Sequence, residues 1–346
     1  MDDIIPKLAN SGILSLLLIA VASAHAGKLH LLDRPGGRKQ HIGAVPTVGG
    51  ICIYCAFVLG LSLDPHLLAP NMLLVVTMGL LAVLGAVDDV IDIDPAKKLL
   101  FETILAGTLI AVTGVSITDI GGILRVDDLI GAALATLMVV CIINAVNHAD
   151  GVDGLAGWLI VVALSWLVIG AALVGDHDLG GLVIRLGVPV LAFLVFNSRT
   201  PWRHKAAVFM GDAGTLMLGY AIAWLCFDLS RDGISVIGSS LVVAVPVSDT
   251  IGLFFRRLLS GRNPLPGARD HIHHLLEEAG LAPGTISFVL AAISAFIGGI
   301  GILGAYAGVP PQVFLLVWIL VFACDWAVVL WLGRRVSRLH LQMALK

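Results

Sequence analysis

Apolar stretches of roughly 16 to 23 residues, each able to cross a bilayer, recur along the whole chain. They lie at about 5–27, 48–63, 70–87, 99–117, 129–147, 155–175, 181–197, 209–228, 236–257, 284–307 and 311–333. Hydrocarbon offers a backbone amide no partner, so segments of this length must satisfy their own hydrogen bonds as helices. The 346 residues therefore read as one all-α integral-membrane domain, a polytopic helix bundle of about eleven transmembrane helices. Charged residues make up only 13% of the chain, against about 25% in soluble domains. This excludes an ordinary soluble enzyme, a disordered tail and a disulfide scaffold. A net charge of −3 gives no general attraction for nucleic acid.

Sidedness follows from the loops. Lys7, Arg125, Arg185 and Arg231 fall on one side of the expected spans, and every other Lys and Arg falls on the opposite side. The positive-inside rule then puts the amino terminus outside and the carboxyl terminus in the cytoplasm. The run Ile13–Val21 precedes Ala22-Ser23-Ala24, as in a cleaved leader, but Asp2 and Asp3 outweigh Lys7 where a basic region belongs. It is expected to stay as the first span. Cys52 and Cys55 form a C-x-x-C inside an apolar run and read as packing residues.

The dense polar sequence gathers on the cytoplasmic side. The first loop reads Asp33-Arg34-Pro35-Gly36-Gly37-Arg38-Lys39-Gln40-His41 and ends at Pro46-Thr47-Val48-Gly49-Gly50. Its glycines and prolines permit tight turns, and its bases suit phosphate. The second junction holds Asp88, Asp89, Asp92 and Asp94 ahead of Lys97 and Lys98. Adjacent carboxylates repel, so a divalent cation is a natural partner. The third runs from Asn144 through Asn147, His148, Asp150 and Asp153 to Gly154 without a base. Three-residue spacing puts Asn147, Asp150 and Asp153 on one helical face, although the glycines suggest unwinding; either arrangement offers oxygen ligands to Mg²⁺. The fourth contains Asn197, Arg199, Arg203, Lys205 and Phe209-Met210-Gly211-Asp212-Ala213-Gly214, where Asp212 either caps a helix or binds a ligand. The fifth carries Arg269-Asp270-His271-Ile272-His273-His274, suited to a pyrophosphate; no nearby Cys or acid completes a tetrahedral zinc site. Such a set fits an enzyme joining a phosphorylated lipid to a soluble phosphorylated donor, since phosphoryl transfer rests on positioning and charge neutralisation.

These elements resemble the polyprenyl-phosphate N-acetylhexosamine-1-phosphate transferases, the WecA/MraY superfamily. The likeness rests on D-R-P-G-G-R-K-Q-H at 33–41, Asp88-Asp89, N-x-x-D-G-x-D-G at 147–154, F-M-G-D-A-G at 209–214 and H-x-H-H at 271–274. The first and last elements are nearer the WecA and TagO branch than the MraY branch. The resemblance implies transfer of a sugar 1-phosphate from a UDP-N-acetyl sugar, UDP-GlcNAc by default, to undecaprenyl phosphate, releasing UMP. It also implies Mg²⁺ dependence, with Mn²⁺ as a stand-in, and a multi-pass place in the bacterial inner membrane with the active site at its cytoplasmic face. It assigns Asn147 and Asp212 to the metal, and Asp88 and Asp89 to lipid-phosphate activation. Asp33, Lys98, Asp150, Asp153, Asn197, Arg269, His271, His273 and His274 become substrate-binding candidates. Thr215 stands where the family often has Ser, and His148-Ala149 departs from its usual pair.

In the expected reaction the lipid phosphate attacks the β-phosphorus in line; a covalent aspartyl intermediate is the competing route. Rival readings are an MraY-type phospho-MurNAc-pentapeptide transferase and a transporter using Asp249 and Asp325 inside apolar runs. An intramembrane aspartyl protease fits less well, because Asp88 and Asp212 sit at span boundaries. A CDP-alcohol phosphotransferase would need Ala-Arg soon after Asp150-Gly151. Oligomeric state is open, a homodimer included.

Overall fold

The computed structural model describes residues 4–34, 43–264 and 270–344. Arg38, Lys39, His41 and Arg269 lie outside the described residues. The elements in chain order are α1 (Ile4–His25), β1 (Leu32–Asp33), β2 (Val45–Pro46), α2 (Gly49–Ser62), α3 (Pro65–Leu68), α4 (Met72–Ile91) and α5 (Pro95–Thr113). Then follow β3 (Asp119–Ile120), β4 (Leu124–Arg125), α6 (Asp128–Ala149), α7 (Leu155–Val174), α8 (His177–Asn197) and α9 (Gly211–Arg231). The chain closes with α10 (Val236–Ser239), α11 (Ala244–Leu259), α12 (Ile272–Glu278), α13 (Pro283–Tyr306) and α14 (Pro311–Ala344). Two short antiparallel ladders, β1 with β2 and β3 with β4, and an isolated bridge between Thr200 and Arg203 are the only departures from helix and loop among the described residues.

Helix ends follow local chemistry. Asp94 accepts from the amides of Ala96 (3.1 Å) and Lys97 (3.3 Å), with Pro95 opening α5. Asp127 caps α6 through Ile130 N, and Asp176 caps α8 through Leu179 N, each at 2.9 Å. Gly114 and Gly175 end α5 and α7 at φ +67° and +81°, where a Cβ would be strained.

Eight of the described helical segments are long and apolar enough to cross a membrane. The expected spans at 5–27 and 48–63 correspond to shorter apolar helices, Asn10–His25 and Gly49–Ser62. The span expected at 99–117 falls in α5, whose first two turns carry Lys97, Lys98 and Glu102. The span expected at 236–257 is bent: a 3₁₀ turn, Ser240–Val243, separates α10 from α11, next to Pro246, which supplies no amide to the helix. The last helix continues to Ala344; its 34 residues reach about 50 Å at 1.5 Å each, well beyond a hydrocarbon core.

The bundle is organised around α9, against which α2, α4, α6 and α7 pack. Of its apolar window 89% is buried, against 17% for α14. Between apolar helices in lipid, close packing replaces the hydrophobic drive, so small residues let backbones meet. Gly50 of α2 and Gly214 of α9 stand back to back; a Cβ on Gly214 would lie 2.8 Å from Gly50 Cα. A Cβ on Gly219 would lie 2.8 Å from Ile143 Cα of α6. One on Gly85 of α4 would collide with the backbone of Asp212 and Ala213. Three contacts of this kind bring the ends of α2, α4 and α6 to the start of α9.

Gly85→Ala is therefore expected to force α4 away from α9 and to destabilise the protein by about 1–3 kcal/mol. Gly107→Ala on α5, where an added Cβ meets nothing within 4 Å, should be neutral or slightly stabilising. Thermal unfolding of the two detergent-purified variants tests the contrast.

Candidate active site

The loops converge where α4, α5, α6 and α9 meet. Gly49 N donates to Phe209 O (3.1 Å) and Gly50 N to Met210 O (2.8 Å), so the first amides of α2 are satisfied by the loop before α9. Phe209 N donates to Pro46 O at 2.8 Å, and Thr47 N to Leu31 O at 3.0 Å. In the β1–β2 ladder Asp33 stands opposite Val45, which ties it to the start of α2. Gly211 begins α9 at φ +70°, and a side chain there would strike the Asp89 carboxylate. Asp89 Oδ1 accepts from Asp212 N at 3.2 Å. Asp89 thus faces the amino end of α9, and Asp212 points its own carboxylate elsewhere.

Lys98 occupies the centre. Its Nζ donates to Asp88 Oδ2 at 2.8 Å and, in a shorter contact, to Asp212 Oδ2. The second oxygen of Asp88 accepts from Ile93 N at 2.6 Å, where Asp92 ends α4 at φ +53°. The second oxygen of Asp212 accepts from Asn147 Nδ2 at 2.9 Å, and the same nitrogen donates to Thr215 Oγ1 at 2.8 Å. Asp88, Lys98, Asn147 and Asp212 therefore form one network. Thr215 serves the hydrogen bond that a Ser would offer.

Below α6 the helix stops at Ala149, and Asp150 and Asp153 lie in the turn that follows. They do not share a helical face with Asn147; the glycines prevail. Burial first, then the charges of Asp212 and Asp153, push the Asp150 carboxyl up to about 7. Asp153 Oδ2 accepts from Arg199 Nε (2.7 Å) and Ala206 N (3.0 Å). Asn197 is buried and uses both ends of its amide on backbone, accepting from Gly154 N at 2.9 Å and donating to Val208 O at 2.8 Å. Both Asp153 and Asn197 brace the loops.

The histidines form a second group beside this turn. A Cβ on Gly151 would sit 3.0 Å from His274 Cε1 and closer still to His273. His271 and His273 stack with centroids 5.6 Å apart, and His273 meets His274 at 4.2 Å. Burial holds the His273 imidazole well below its usual range, so it is neutral at pH 7. His271 Nδ1 pairs with Asp249 Oδ2 at 2.7 Å, and Ile272 N donates to Asp249 Oδ1 at 3.0 Å. His148 lies 5.0 Å from His271 between centroids.

Sequence reasoning placed Asn144 and His148 in the third junction but did not assign Asp249 or Glu102 to this region. Glu102, fully buried, accepts from Asn144 Nδ2 at 2.5 Å. It sits one helical turn after Lys98, and a lone acid on that face was the available signal.

The donor set suits a hard cation. A positive charge already rests between the Asp88 and Asp212 carboxylates, so both aim at a cation position, with the Asn147 amide alongside. Among the described residues no group of three or more His, Cys, Asp or Glu could hold a metal.

Residues 71–230 match the glycosyl transferase family 4 model, which takes in α4 through α9 and the whole carboxylate network. The chain is 31% identical over 333 residues to the undecaprenyl-phosphate alpha-N-acetylglucosaminyl 1-phosphate transferase of Pasteurella multocida, covering 91% of this chain and 93% of the relative. The chain belongs to glycosyl transferase family 4. Proteins of the same name from Salmonella typhi and Escherichia coli K12 are each 27% identical, over 91% and 88% of this chain and 88% and 85% of theirs. The likeness to these relatives thus extends across nearly the full length of the chain, well beyond the family 4 match.

Lys98→Met should leave two facing carboxylates uncompensated and lower the unfolding midpoint; millimolar Mg²⁺ should then restore it by more than it shifts the wild type, in differential scanning fluorimetry. Asp150 gives a pH signature. Its native pKa lies above the ordinary carboxylate value, so the folded state binds a proton that the unfolded chain loses between about pH 4 and 7. Its stabilisation is full below that window and lost as pH rises through about 7. Asp150→Asn should flatten the decline in unfolding midpoint between pH 5 and 8.

Proposed function

We propose that this protein transfers N-acetylglucosamine 1-phosphate from UDP-GlcNAc to undecaprenyl phosphate, yielding undecaprenyl-pyrophosphoryl-GlcNAc and UMP, the first step of a cell-envelope polysaccharide. The observation that carries the reading is the Asp88–Lys98–Asp212–Asn147 network, in a chain whose relatives are named as undecaprenyl-phosphate alpha-N-acetylglucosaminyl 1-phosphate transferases. The setting we propose is the bacterial inner membrane, crossed about eleven times, with the amino terminus outside and the site at the cytoplasmic face, where nearly all Lys and Arg gather.

Asp212 and Asn147 would hold Mg²⁺, with Asp88 adjacent; when bound, the ion neutralises charge on the donor pyrophosphate. A lipid-phosphate oxygen forms the new bond to the β-phosphorus while the bond to the bridging oxygen breaks, its electron pair leaving on UMP. Asp88 accepts a proton from the lipid phosphate when one is present, a modest need at neutral pH given a second phosphate pKa near 6. Lys98 supplies a fixed positive charge beside the transferring group. In this reading His271, His273 and His274, with Arg269, would bind the donor pyrophosphate, and Asp150 and Asp153 would border the nucleotide. An apolar groove of about 300 Å³, lined by Leu134, Leu137, Met138, Val247, Ile251 and Trp318, runs between α6 and α11 and suits the polyprenyl chain.

Purified protein given undecaprenyl phosphate, Mg²⁺ and a panel of UDP-sugars should release UMP with UDP-GlcNAc. Turnover only with UDP-MurNAc-pentapeptide would move the assignment to the MraY type, and no turnover with any sugar would reject it. Asp212→Asn and Asp88→Asn should each lower kcat by about 10²-fold or more, as loss of one preorganised electrostatic group does. Exchange of labelled UMP into UDP-GlcNAc without lipid would favour a covalent route; its absence in active enzyme supports direct attack.

A further inference from the structure

Asp325 takes no part in the network above, yet it stands inside an apolar helix where a carboxylate is costly without a partner or a task. On the most exposed spanning helix, α14, its Oδ2 is nevertheless buried and without a hydrogen bond, and Arg256 Nη1 of α11 is in the same condition. The two groups are electrostatic partners, and Asp249 adds its charge to the same space. Gly252 lies between them: a Cβ there would be 2.9 Å from Arg256 Nη1 and 3.2 Å from Asp325 Oδ2. The next residue, Trp326, holds the same guanidinium over its ring, with Arg256 Cζ 5.7 Å from the centroid. α14 thus holds Arg256 by the aromatic face of Trp326, while Asp325 attracts it electrostatically across the space beside Gly252.

The other end of Arg256 points to the histidine segment. Its Nη2 donates to the carbonyl of Asp270 at 3.5 Å, one residue before His271. Asp249, one turn before Gly252 on α11, holds His271 and Ile272. α12, which carries His273 and His274, packs directly against α14. Without Arg256 between them, Asp249 and Asp325 would be two neighbouring carboxylates in a poorly solvated space, and the Asp249 that orients His271 would be disturbed.

We infer that Asp325, assisted by Trp326, is a positioning residue: it sets Arg256, and through Arg256 the Asp270–His274 segment, in the orientation that receives the pyrophosphate of the donor. The inference rests on the proposed sugar-phosphate transfer for its kinetic consequence, but its structural content is independent of turnover. Asp325→Asn removes the charge with little change of shape, Asp325→Glu keeps it, and Trp326→Leu removes the ring while leaving the carboxylate.

Two readouts test this on the full-length protein in detergent: carbethoxylation of His271 and His273 by diethyl pyrocarbonate, followed by mass spectrometry, and KM for UDP-GlcNAc against kcat. In Asp325→Asn both the labelling rates and KM should rise by about tenfold, the scale of losing one charge–charge attraction at a poorly solvated site, with kcat within about twofold. Asp325→Glu should restore both, and Trp326→Leu should move both in the same direction by less. Unchanged labelling in Asp325→Asn, or in Trp326→Leu if the first variant does not fold, overturns the inference. So does a fall in kcat with labelling and KM unmoved. If the wild type releases no UMP while labelling still rises in Asp325→Asn, the transferase reading fails and the positioning role stands.

Discussion

A single ammonium group joins the parts of this molecule that matter most. Lys98, on α5, holds the carboxylates of Asp88 on α4 and Asp212 on α9 against one another. Two like charges at that separation would repel strongly in a poorly solvated setting, and the lysine turns the repulsion into a three-helix tie. The tie is polar and reaches the protein surface, so a substrate phosphate or a cation can compete for the same oxygens. The interaction that assembles the site is therefore also the one that a bound phosphate or cation must rearrange.

That tie forms only because the backbones beneath it are close. Gly50, Gly85, Gly214 and Gly219 remove the side chains that would separate α2, α4 and α6 from α9. In lipid such closeness is a major source of helix cohesion, and here it fixes the height at which Asp88, Asn147 and Asp212 stand. Loop hydrogen bonds then set their direction. Pro46, Phe209 and Met210 lend carbonyls to neighbouring amides, and Asn197 spans two loops with one amide.

Much of this was legible in the residues. Apolar length alone identified the membrane bundle, and the motif order pointed to the family that the relatives bear out. Asn147 and Asp212 were paired from motif likeness, and they lie in hydrogen-bond contact. Asn197 and Asp153 read as substrate-binding candidates in the linear sequence; in three dimensions their polar atoms also meet backbone and Arg199, a bracing role that the sequence did not show. Spacing could not resolve this, because which neighbour an amide meets depends on loops more than forty residues apart. Asp249 was visible only as an isolated acid in an apolar run and gained its meaning from the histidine it holds. α2 and α5 fell short of clear spans because one is short and the other begins with charge, so a hydropathy window weighs them less than their place in the bundle warrants.

The two halves of the site are built with different stiffness. The carboxylate network stands on helices locked backbone to backbone, whereas the histidine segment rests on a seven-residue helix held from outside by α11 and α14 through side chains. Substitutions in the first half strain helix–helix packing; those in the second act through the side chains that hold the histidine segment. Reshaping the peripheral half therefore alters how a donor is seated without loosening the helices that carry Asp88, Asn147 and Asp212.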